Sequence, residues 1–230
     1  MDENLIVRLE EEKIVTATFR RLAVRKRRKL FEAVIGCVAA RPFERVTLDN
    51  LAAGAGVSKG SLIQYFTTKE NLLLFAAELA ADEYHAFCDS YFAREQAVRV
   101  RERLEKFFEA HFDYWHKAGA GFRFYIRLRY ESGGSAAERF GEDMAGLQYH
   151  HLAAIIRRGV DTGEIRRDLG LDHITFVFLA ILEELTREYA VASKQSRQAD
   201  IRGHSARLIA LVLDGVRGKT ASRTAMPGSP

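Results

Sequence analysis

The chain has 230 residues and a formal net charge of +4 at pH 7, with 47% hydrophobic and 29% charged residues. That composition is ordinary for a soluble globular protein with a buried core, and two cysteines, Cys37 and Cys88, are too few for a disulfide framework. A reduced, cytoplasmic location is therefore expected, and because no apolar run reaches the ~20 residues of a membrane-spanning helix, no membrane partner is predicted.

Only three prolines occur, and two of them stand in the last four residues, so little in the interior stops a helix. Strand-like alternation is scarce, which predicts an all-α protein. Residues 1–23 form an N-terminal extension in which Leu5 to Phe19 could be helical, and the sequence leaves its order open. The residues from 218 to 230 lack an apolar pattern and are expected to form a disordered tail. Between them, helices are predicted at 24–40, 47–53, 58–66, 68–92, 97–117, 121–131, 138–160, 172–192 and 201–217.

The excess positive charge lies entirely in the first third of the chain. Residues 1–75 hold 13 Lys and Arg against 9 Asp and Glu, whereas residues 76–230 hold 22 of each. Seven basic residues form a basic block between positions 20 and 29: Arg20, Arg21, Arg25, Lys26, Arg27, Arg28 and Lys29. Such a block is typical of a protein that binds a polyanion, and a solvated basic helix face is the alternative.

Two short predicted helices in Thr47 to Phe66 form a candidate helix-turn-helix. Thr47 can cap the first helix and Ser58 the second, because a hydroxyl accepts a hydrogen bond from the free N–H groups of a helix start. Gly56 stands where the chain reverses, a position that suits a positive φ. A helical hairpin in some other all-α protein is the alternative interpretation.

The second of these helices has the composition of a DNA recognition helix. Leu62 and Phe66 are four residues apart and define its buried side, so Gln64 is expected to point almost opposite. Gly60 and Ser61 lie beside Gln64, and the outward face is flanked by Lys59, Ile63 and Tyr65. A glutamine can read adenine in the major groove, a lysine can reach guanine or phosphate, and serines suit phosphate oxygens.

The run Ala55 to Leu72, Ala-Gly-Val-Ser-Lys-Gly-Ser-Leu-Ile-Gln-Tyr-Phe-Thr-Thr-Lys-Glu-Asn-Leu, resembles the motif of the TetR family of one-component bacterial regulators. The resemblance covers about residues 24–84 and implies a three-helix DNA-binding domain there, with its motif at about 47–66. It further implies a larger helical effector-binding and dimerisation domain over 85–217. The DNA-contacting residues that it implies are Thr47, Ser58, Lys59, Gly60, Ser61, Ile63, Gln64, Tyr65 and Lys69, of which Tyr65 and Lys69 commonly hold phosphates.

Two positions depart from the family pattern. Ile63 stands where the family usually has tyrosine, so a phosphate-binding hydroxyl is lost and contact with a thymine methyl is gained instead. Pro42 replaces the usual glycine in the turn after the first helix, and since proline cannot take a positive φ, that turn must be built differently.

Aromatic residues are concentrated between Phe107 and Tyr130, which hold nine of them. The resemblance implies an effector pocket in this part of the chain, and its candidate lining residues are Phe108, Phe112, Trp115, Phe124 and Tyr125. An unknown and largely apolar small molecule is the expected effector. Ordinary core packing is the alternative for each aromatic residue taken singly.

The last two predicted helices carry wide apolar stripes. The first stripe contains Val177, Phe178, Ile181, Leu182, Leu185 and Tyr189, and the second contains Leu208, Ile209, Leu211, Val212 and Val216. The resemblance implies a four-helix homodimer interface made from this pair, and burial within one chain would use the same stripes.

The predicted function is sequence-specific DNA binding by a transcriptional regulator, a repressor that a small-molecule effector releases from a palindromic operator. No catalytic motif, cofactor or metal site is predicted, because neighbouring histidines such as His150 and His151 diverge on a helix. An interaction module that has lost specific DNA binding is the alternative, supported by Ile63 and by the acidic run Glu10 to Glu12.

Overall fold

The computed structural model describes residues 1–41, 45–92, 99–191 and 197–216. The predicted turn at Pro42 and the predicted disordered tail lie outside these residues. The described residues confirm an all-α fold and form eleven α-helices: α1 (Glu3–Glu11), α2 (Ala17–Arg20), α3 (Val24–Ala40), α4 (Leu48–Ala55), α5 (Lys59–Phe66), α6 (Lys69–Phe92), α7 (Val100–Ala118), α8 (Ala120–Ile126), α9 (Ser135–Asp161), α10 (Leu171–Val191) and α11 (Arg197–Val216). None of these helices is both long and apolar enough to cross a membrane.

The N-terminal extension is ordered and belongs to the core. The predicted single helix over residues 5–19 is wrong, because the chain breaks into α1 and α2 at Lys13, whose φ is 60°. Thr16 caps the new helix by accepting a hydrogen bond from the N–H of Phe19. Phe19 is fully buried, with its ring centroid 4.9 Å from those of both Phe66 and Phe75. The extension therefore completes the hydrophobic core beneath the helix-turn-helix.

The helix-turn-helix forms as the sequence predicts. Thr47 Oγ1 accepts from the N–H of Asn50 at 3.2 Å, and Ser58 Oγ accepts from the N–H of Ser61 at 3.0 Å. Gly56 ends α4 in the left-handed conformation, with φ 67° and ψ 37°, which confirms the predicted reversal. The two short helices thus carry their own start and stop signals.

Helix α6 crosses the predicted domain boundary at residue 84 without interruption. Its 24 residues correspond to about 36 Å at 1.5 Å per residue. Leu72 and Phe75, near its start, belong to the core beneath the helix-turn-helix, whereas Tyr84 and Cys88 are buried in the larger bundle. One rigid element, rather than a linker, therefore joins the two parts.

The larger bundle is built from α6 to α11. Helix α9 packs against α6, α7 and α10, and α11 packs against α7 and α10. Helix α8 packs against α3 of the DNA-binding part, and a wide π-helical turn, Arg127–Glu131, continues it. Because of these contacts, a displacement in the larger bundle is felt directly by α3 and α6.

Candidate DNA interface and effector cavities

The predicted recognition helix, α5, presents the expected face to solvent. Gln64 is exposed and Ile63 is 48% exposed, whereas Leu62 and Phe66 are buried. A Cβ atom added at Gly60 would have only Ser58 Oγ within 4 Å, at 3.8 Å, so the start of the helix is open to close approach. Eight of the nine predicted DNA-contacting residues are exposed or half-buried: Thr47, Ser58, Lys59, Gly60, Ser61, Ile63, Gln64 and Lys69.

Tyr65 is the exception, and the prediction that it flanks the outward face is wrong. Its side chain is buried at 6% exposure, because the ring of Phe19 covers that side of α5 at a centroid distance of 6.2 Å. The ammonium group of Lys26 donates to the Tyr65 hydroxyl at 3.2 Å. The N-terminal turn of α3 therefore lies beside the recognition helix, and Tyr65 helps to hold it there.

The end of α5 is held by the start of α2. The N–H of Thr16 donates to the carbonyl of Tyr65 at 3.0 Å, and Thr16 Oγ1 donates to the carbonyl of Gln64 at 2.7 Å. These are carbonyls that the last turn of a helix leaves without an intrahelical partner. Sequence reasoning missed this contact because its partners are 48 residues apart. The only local signal was a threonine followed by helix-favouring residues, which is typical of a cap.

The basic block is partly neutralised within the chain. Three of its members pair with carboxylates: Arg20 with Glu10 at 2.5 Å, Arg27 with Glu3, and Arg28 with Glu83. The hydrogen bond from Arg27 lowers the pKa of the Glu3 carboxyl. The exposed members of the block are Arg21, Arg25, Lys26 and Lys29. These four positive charges lie on α3 or just before it, in the segment that adjoins α5.

Lys59 forms an ion pair with Asp49 that joins α5 to α4. The distance from Lys59 Nζ to Asp49 Oδ2 is 3.0 Å, and both side chains are more than half exposed. Because exposed pairs of this kind contribute only about 0–1 kcal/mol, Lys59 can exchange its partner for DNA at little cost.

A cavity of about 570 Å³ opens between the ends of α7, α8 and α10. It is lined by apolar and charged side chains, among them Trp115, Phe122, Arg127 and Tyr189. Two buried donors on its lining residues, Trp115 Nε1 and Arg127 Nη1, have no hydrogen-bond partner among the described residues. Since unpaired buried donors are rare in folded proteins, the cavity has the chemistry to receive a ligand with acceptor oxygens.

The structure corrects most of the predicted pocket lining. Of the five predicted residues, only Trp115 lines this cavity, whereas Phe108, Phe112, Phe124 and Tyr125 are buried among other side chains. The rings of these four residues have buried neighbours that lie far away in the sequence. Phe112 faces the ring of Tyr189, for example, and both Phe124 and Tyr125 face that of Phe140.

A second cavity, of about 450 Å³, lies where α3 meets α6, α7 and α8. Phe31 and Ile35 of α3 and Phe87 of α6 form part of its wall. Trp115 lines this cavity as well as the first one. One indole ring therefore stands between a cavity of the larger bundle and a helix of the DNA-binding part.

A buried polar chain crosses the larger bundle beside that indole. The Tyr84 hydroxyl lies 2.8 Å from His111 Nδ1, and His111 Nε2 lies 2.9 Å from Thr186 Oγ1, so α6, α7 and α10 are connected. Burial lowers the pKa of His111 to about 3, which keeps the ring neutral. Tyr84 stacks on Trp115, with ring planes 9° apart. Position 111 follows Phe107 at helical spacing, which indicated burial, but nothing local indicated Thr186.

The apolar stripes of α10 and α11 serve mainly the interior of this chain. Leu182, Leu185 and Tyr189 are buried on the inner side of α10. A flank remains outside: Phe176 is 68% exposed and Leu211 is 71% exposed. The exposed flank of the last two helices, defined by Phe176, Val177 and Leu211, is therefore available to a second protein surface.

Comparison with known proteins identifies the N-terminal part. Residues 30–75 match the family model of bacterial regulatory proteins of the tetR family. The transcriptional repressor KstR2 of Mycobacterium tuberculosis is 26% identical over 152 residues, which are 64% of this chain and 72% of that protein.

Solved structures share the whole architecture at low sequence identity. The transcriptional regulator FadR from Bacillus subtilis, in complex with stearoyl-CoA, superposes with a TM-score of 0.68 at 16% identity, covering 83% of this chain and 99% of that one. The ketosteroid regulator KstR2 of Mycobacterium tuberculosis superposes with a TM-score of 0.59 at 20% identity, covering 86% and 98%. The fold, the helix-turn-helix and the family match agree, and the chain belongs to the tetR family: it is a DNA-binding transcriptional regulator and not an enzyme.

Proposed function

We propose that this regulator is a cytoplasmic repressor that binds a palindromic operator as a homodimer and is released from it by a small-molecule effector. The observation that carries the proposal is the outward face of α5, where Gln64 is exposed while Thr16 holds the carbonyl of the same residue. A recognition helix fixed at its end loses less entropy when it enters a groove. The related KstR2 is described as a repressor.

Each exposed residue of the α5 face has a chemical role in this proposal. Gln64 reads an adenine through paired hydrogen bonds, and Ile63 contacts a thymine methyl. Lys59 reaches guanine or phosphate. Thr47, Ser58, Ser61 and Lys69 bind phosphate oxygens, which positions the helix without reading sequence. Gly60 allows the backbone to approach the DNA. The exposed members of the basic block add attraction to the DNA backbone.

The homodimer forms through the exposed flank of the last two helices. Burying Phe176, Val177 and Leu211 against a second copy removes apolar surface from water at about 25 cal/mol per Å². Two-fold symmetry then places two recognition helices one turn of DNA apart, about 34–36 Å, on an operator with the same symmetry.

The effector occupies the cavity of about 570 Å³ in the larger bundle. Phe122 and Trp115 supply apolar contact, and the unpaired donors Trp115 Nε1 and Arg127 Nη1 supply hydrogen bonds to oxygens. The ligand class that fits is an apolar body with a carboxylate, carbonyl or phosphate group. The structural relatives agree in kind, since one holds stearoyl-CoA and another is described as a ketosteroid regulator.

Release follows from the position of Trp115 between the two cavities. A ligand that pushes this indole also pushes on the cavity bounded by α3, because Trp115 forms part of its wall. Helix α3 carries Lys26, which lies against Tyr65 of the recognition helix. A shift of α3 therefore changes the spacing of the two recognition helices, and DNA affinity falls.

Selection from a random-sequence duplex library at two salt concentrations tests the DNA-binding half of the proposal. Enrichment of an inverted repeat, with affinity falling steeply as salt rises, is the expected result. Gln64→Ala is expected to cost about 1–3 kcal/mol and relax one base-pair position. Lys69→Ala is expected to weaken binding to every sequence and reduce the salt slope by about 1, whereas Lys106→Ala on α7 is the unaffected control. Salt-sensitive binding with no enriched sequence would instead favour the interaction module.

The effector half can be tested by fluorescence, because Trp115 is the single tryptophan of the chain. Stearoyl-CoA is the first probe, and its addition is expected to change the emission of Trp115 and release operator DNA. Arg127→Ala removes one charged hydrogen bond, worth about 1.5–3 kcal/mol, so affinity is expected to fall roughly 10- to 100-fold. Arg157→Ala, on the exposed side of α9, is the matched control. Equal affinities of the two variants would remove Arg127 from the effector site.

A further inference from the structure

Three side chains that the proposed function does not use meet between α6 and α9. His85 and Asp89 stand one turn apart on α6, and His151 of α9 faces them. His85 Nε2 lies 3.4 Å from Asp89 Oδ2, and His151 Nε2 lies 3.9 Å from Asp89 Oδ1. The three ligand atoms all lie within 4.8 Å of one another. This group, the His–Asp–His cluster, brings together side chains from distant parts of the sequence.

The spacing suits a transition-metal ion. A Zn²⁺ ion binds imidazole nitrogen and carboxylate oxygen at about 2.0–2.2 Å, so two ligand atoms of a tetrahedral site lie about 3.4 Å apart. The two measured distances to Asp89 lie at or slightly above that value, and small side-chain rotations close the remainder. Two imidazoles and one carboxylate favour a first-row ion over Mg²⁺ or Ca²⁺, and they leave a coordination position for water.

The state of His151 is the second observation that points to a ligand. Its side chain is only 11% exposed, and its Nε2 atom is buried without a hydrogen-bond partner. The rings of Phe92 and Phe107 pack against it at centroid distances of 5.4 and 6.1 Å. Burial also lowers the pKa of His151, so the ring is neutral and its lone pair is free to coordinate. A buried nitrogen of this kind is costly until something binds it.

The surroundings attract a cation. His85 also lines an adjacent depression of about 370 Å³, whose acidic residues outnumber its basic ones. The acidic members are Glu78, Asp82, Glu142 and Asp143, and the basic members are Arg8 and Arg139. Both arginines are already paired with the buried Glu78. The remaining negative charge raises the local concentration of a divalent ion.

We propose that His85, Asp89 and His151 bind a divalent first-row transition-metal ion of the Zn²⁺ type, which joins α6 to α9. The side chain of Asp89 is 61% exposed, so the ion exchanges with solvent rather than being locked in at folding. The ion would act on the DNA-binding part through α6, which begins at Lys69, three residues after the recognition helix ends. This inference goes beyond the proposed repressor function and does not depend on it.

Titration of the untagged, metal-free, full-length protein with Co²⁺ tests the site. The visible absorption of Co²⁺ distinguishes a site containing nitrogen ligands and low symmetry from the hydrated ion, and Zn²⁺ is expected to displace it. The expected result is one tight site per chain and a rise in the melting temperature when Zn²⁺ is added. His151→Gln is expected to weaken binding at least about tenfold, whereas His150→Gln, an exposed neighbour, leaves it unchanged.

A second variant keeps the test decisive if His151→Gln disturbs the core. Asp89→Asn changes an exposed side chain by one atom and leaves the fold intact, as circular dichroism checks, but removes the anionic ligand. Equal Co²⁺ and Zn²⁺ affinities for the wild type, Asp89→Asn and His151→Gln would overturn the inference, and so would absence of binding to the wild type. Because neither readout uses DNA, the outcome stands apart from that of the operator experiments.

Discussion

Phe19→Ala tests whether the N-terminal extension is an integral part of the DNA-binding core. Phe19 is fully buried and packs against the rings of Tyr65, Phe66 and Phe75. Removing a buried phenylalanine side chain costs about 3–5 kcal/mol, and each lost aromatic pair adds about 0.5–1.5 kcal/mol to a plain loss of buried area. We therefore expect the free energy of unfolding to fall by about 4 kcal/mol.

The loss is measured by urea unfolding followed by circular dichroism, with operator binding measured in parallel by fluorescence anisotropy. DNA affinity is also expected to fall, because α2 holds the last carbonyls of the recognition helix through Thr16. Val7→Ala on α1 is the control, since Val7 is 38% exposed and its loss is expected to cost less than about 1 kcal/mol. If Phe19→Ala cost no more than Val7→Ala, the extension would be an appendage and the argument from its packing would be refuted.

Three further predictions follow from other contacts. Glu70 Oε1 accepts from the N–H of Ala136 at 3.0 Å, so Glu70→Ala removes a cap from α9 and is expected to cost about 1–2 kcal/mol in urea unfolding; a loss no larger than that of Glu102→Ala would contradict this. Because His111 stays neutral down to pH 3 when folded but protonates near pH 6.5 when unfolded, it lowers stability by up to about 1.4 kcal/mol per unit as the pH falls from 6 to 4. His111→Gln should flatten that slope of unfolding free energy against pH, and unchanged slopes would remove His111 as its cause. Leu211→Asp places a charge on the 71% exposed flank and is expected to shift sedimentation from dimer to monomer; a persistent dimer would place the interface elsewhere.

Local rules were sufficient for the helix-turn-helix. Thr47 and Ser58 cap their helices, and Gly56 takes a positive φ, because these preferences depend only on neighbouring backbone groups. The side of α5 that is buried was predicted correctly for Leu62 but not for Tyr65. Tyr65 lies at the edge of the buried face, where its exposure depends on what packs beside it, and the packing of the extension was not predictable from spacing.

Cavities and clusters depend on side chains that are distant in sequence, so the pattern alone could not place them. An aromatic-rich segment predicts burial equally well for Trp115, which lines two cavities, and for Phe124, which lines neither. In the same way, the divergence of His150 from His151 correctly excluded that pair as joint ligands. It gave no sign that His151 meets Asp89 of another helix.

The extension also connects α9 to the recognition helix, which gives the larger bundle a second route to the DNA surface. Arg139 of α9 pairs with Glu12 at 2.7 Å and with the buried Glu78 of α6. Burial raises the pKa of Glu78, and the arginines oppose that rise, so the charged network holds only while they stay in place. Four residues beyond Glu12, Thr16 bonds the end of α5. A shift of α9 must therefore break a buried ion pair or move the segment that fixes the recognition helix, and since breaking such a pair costs about 3–5 kcal/mol, movement is the easier response.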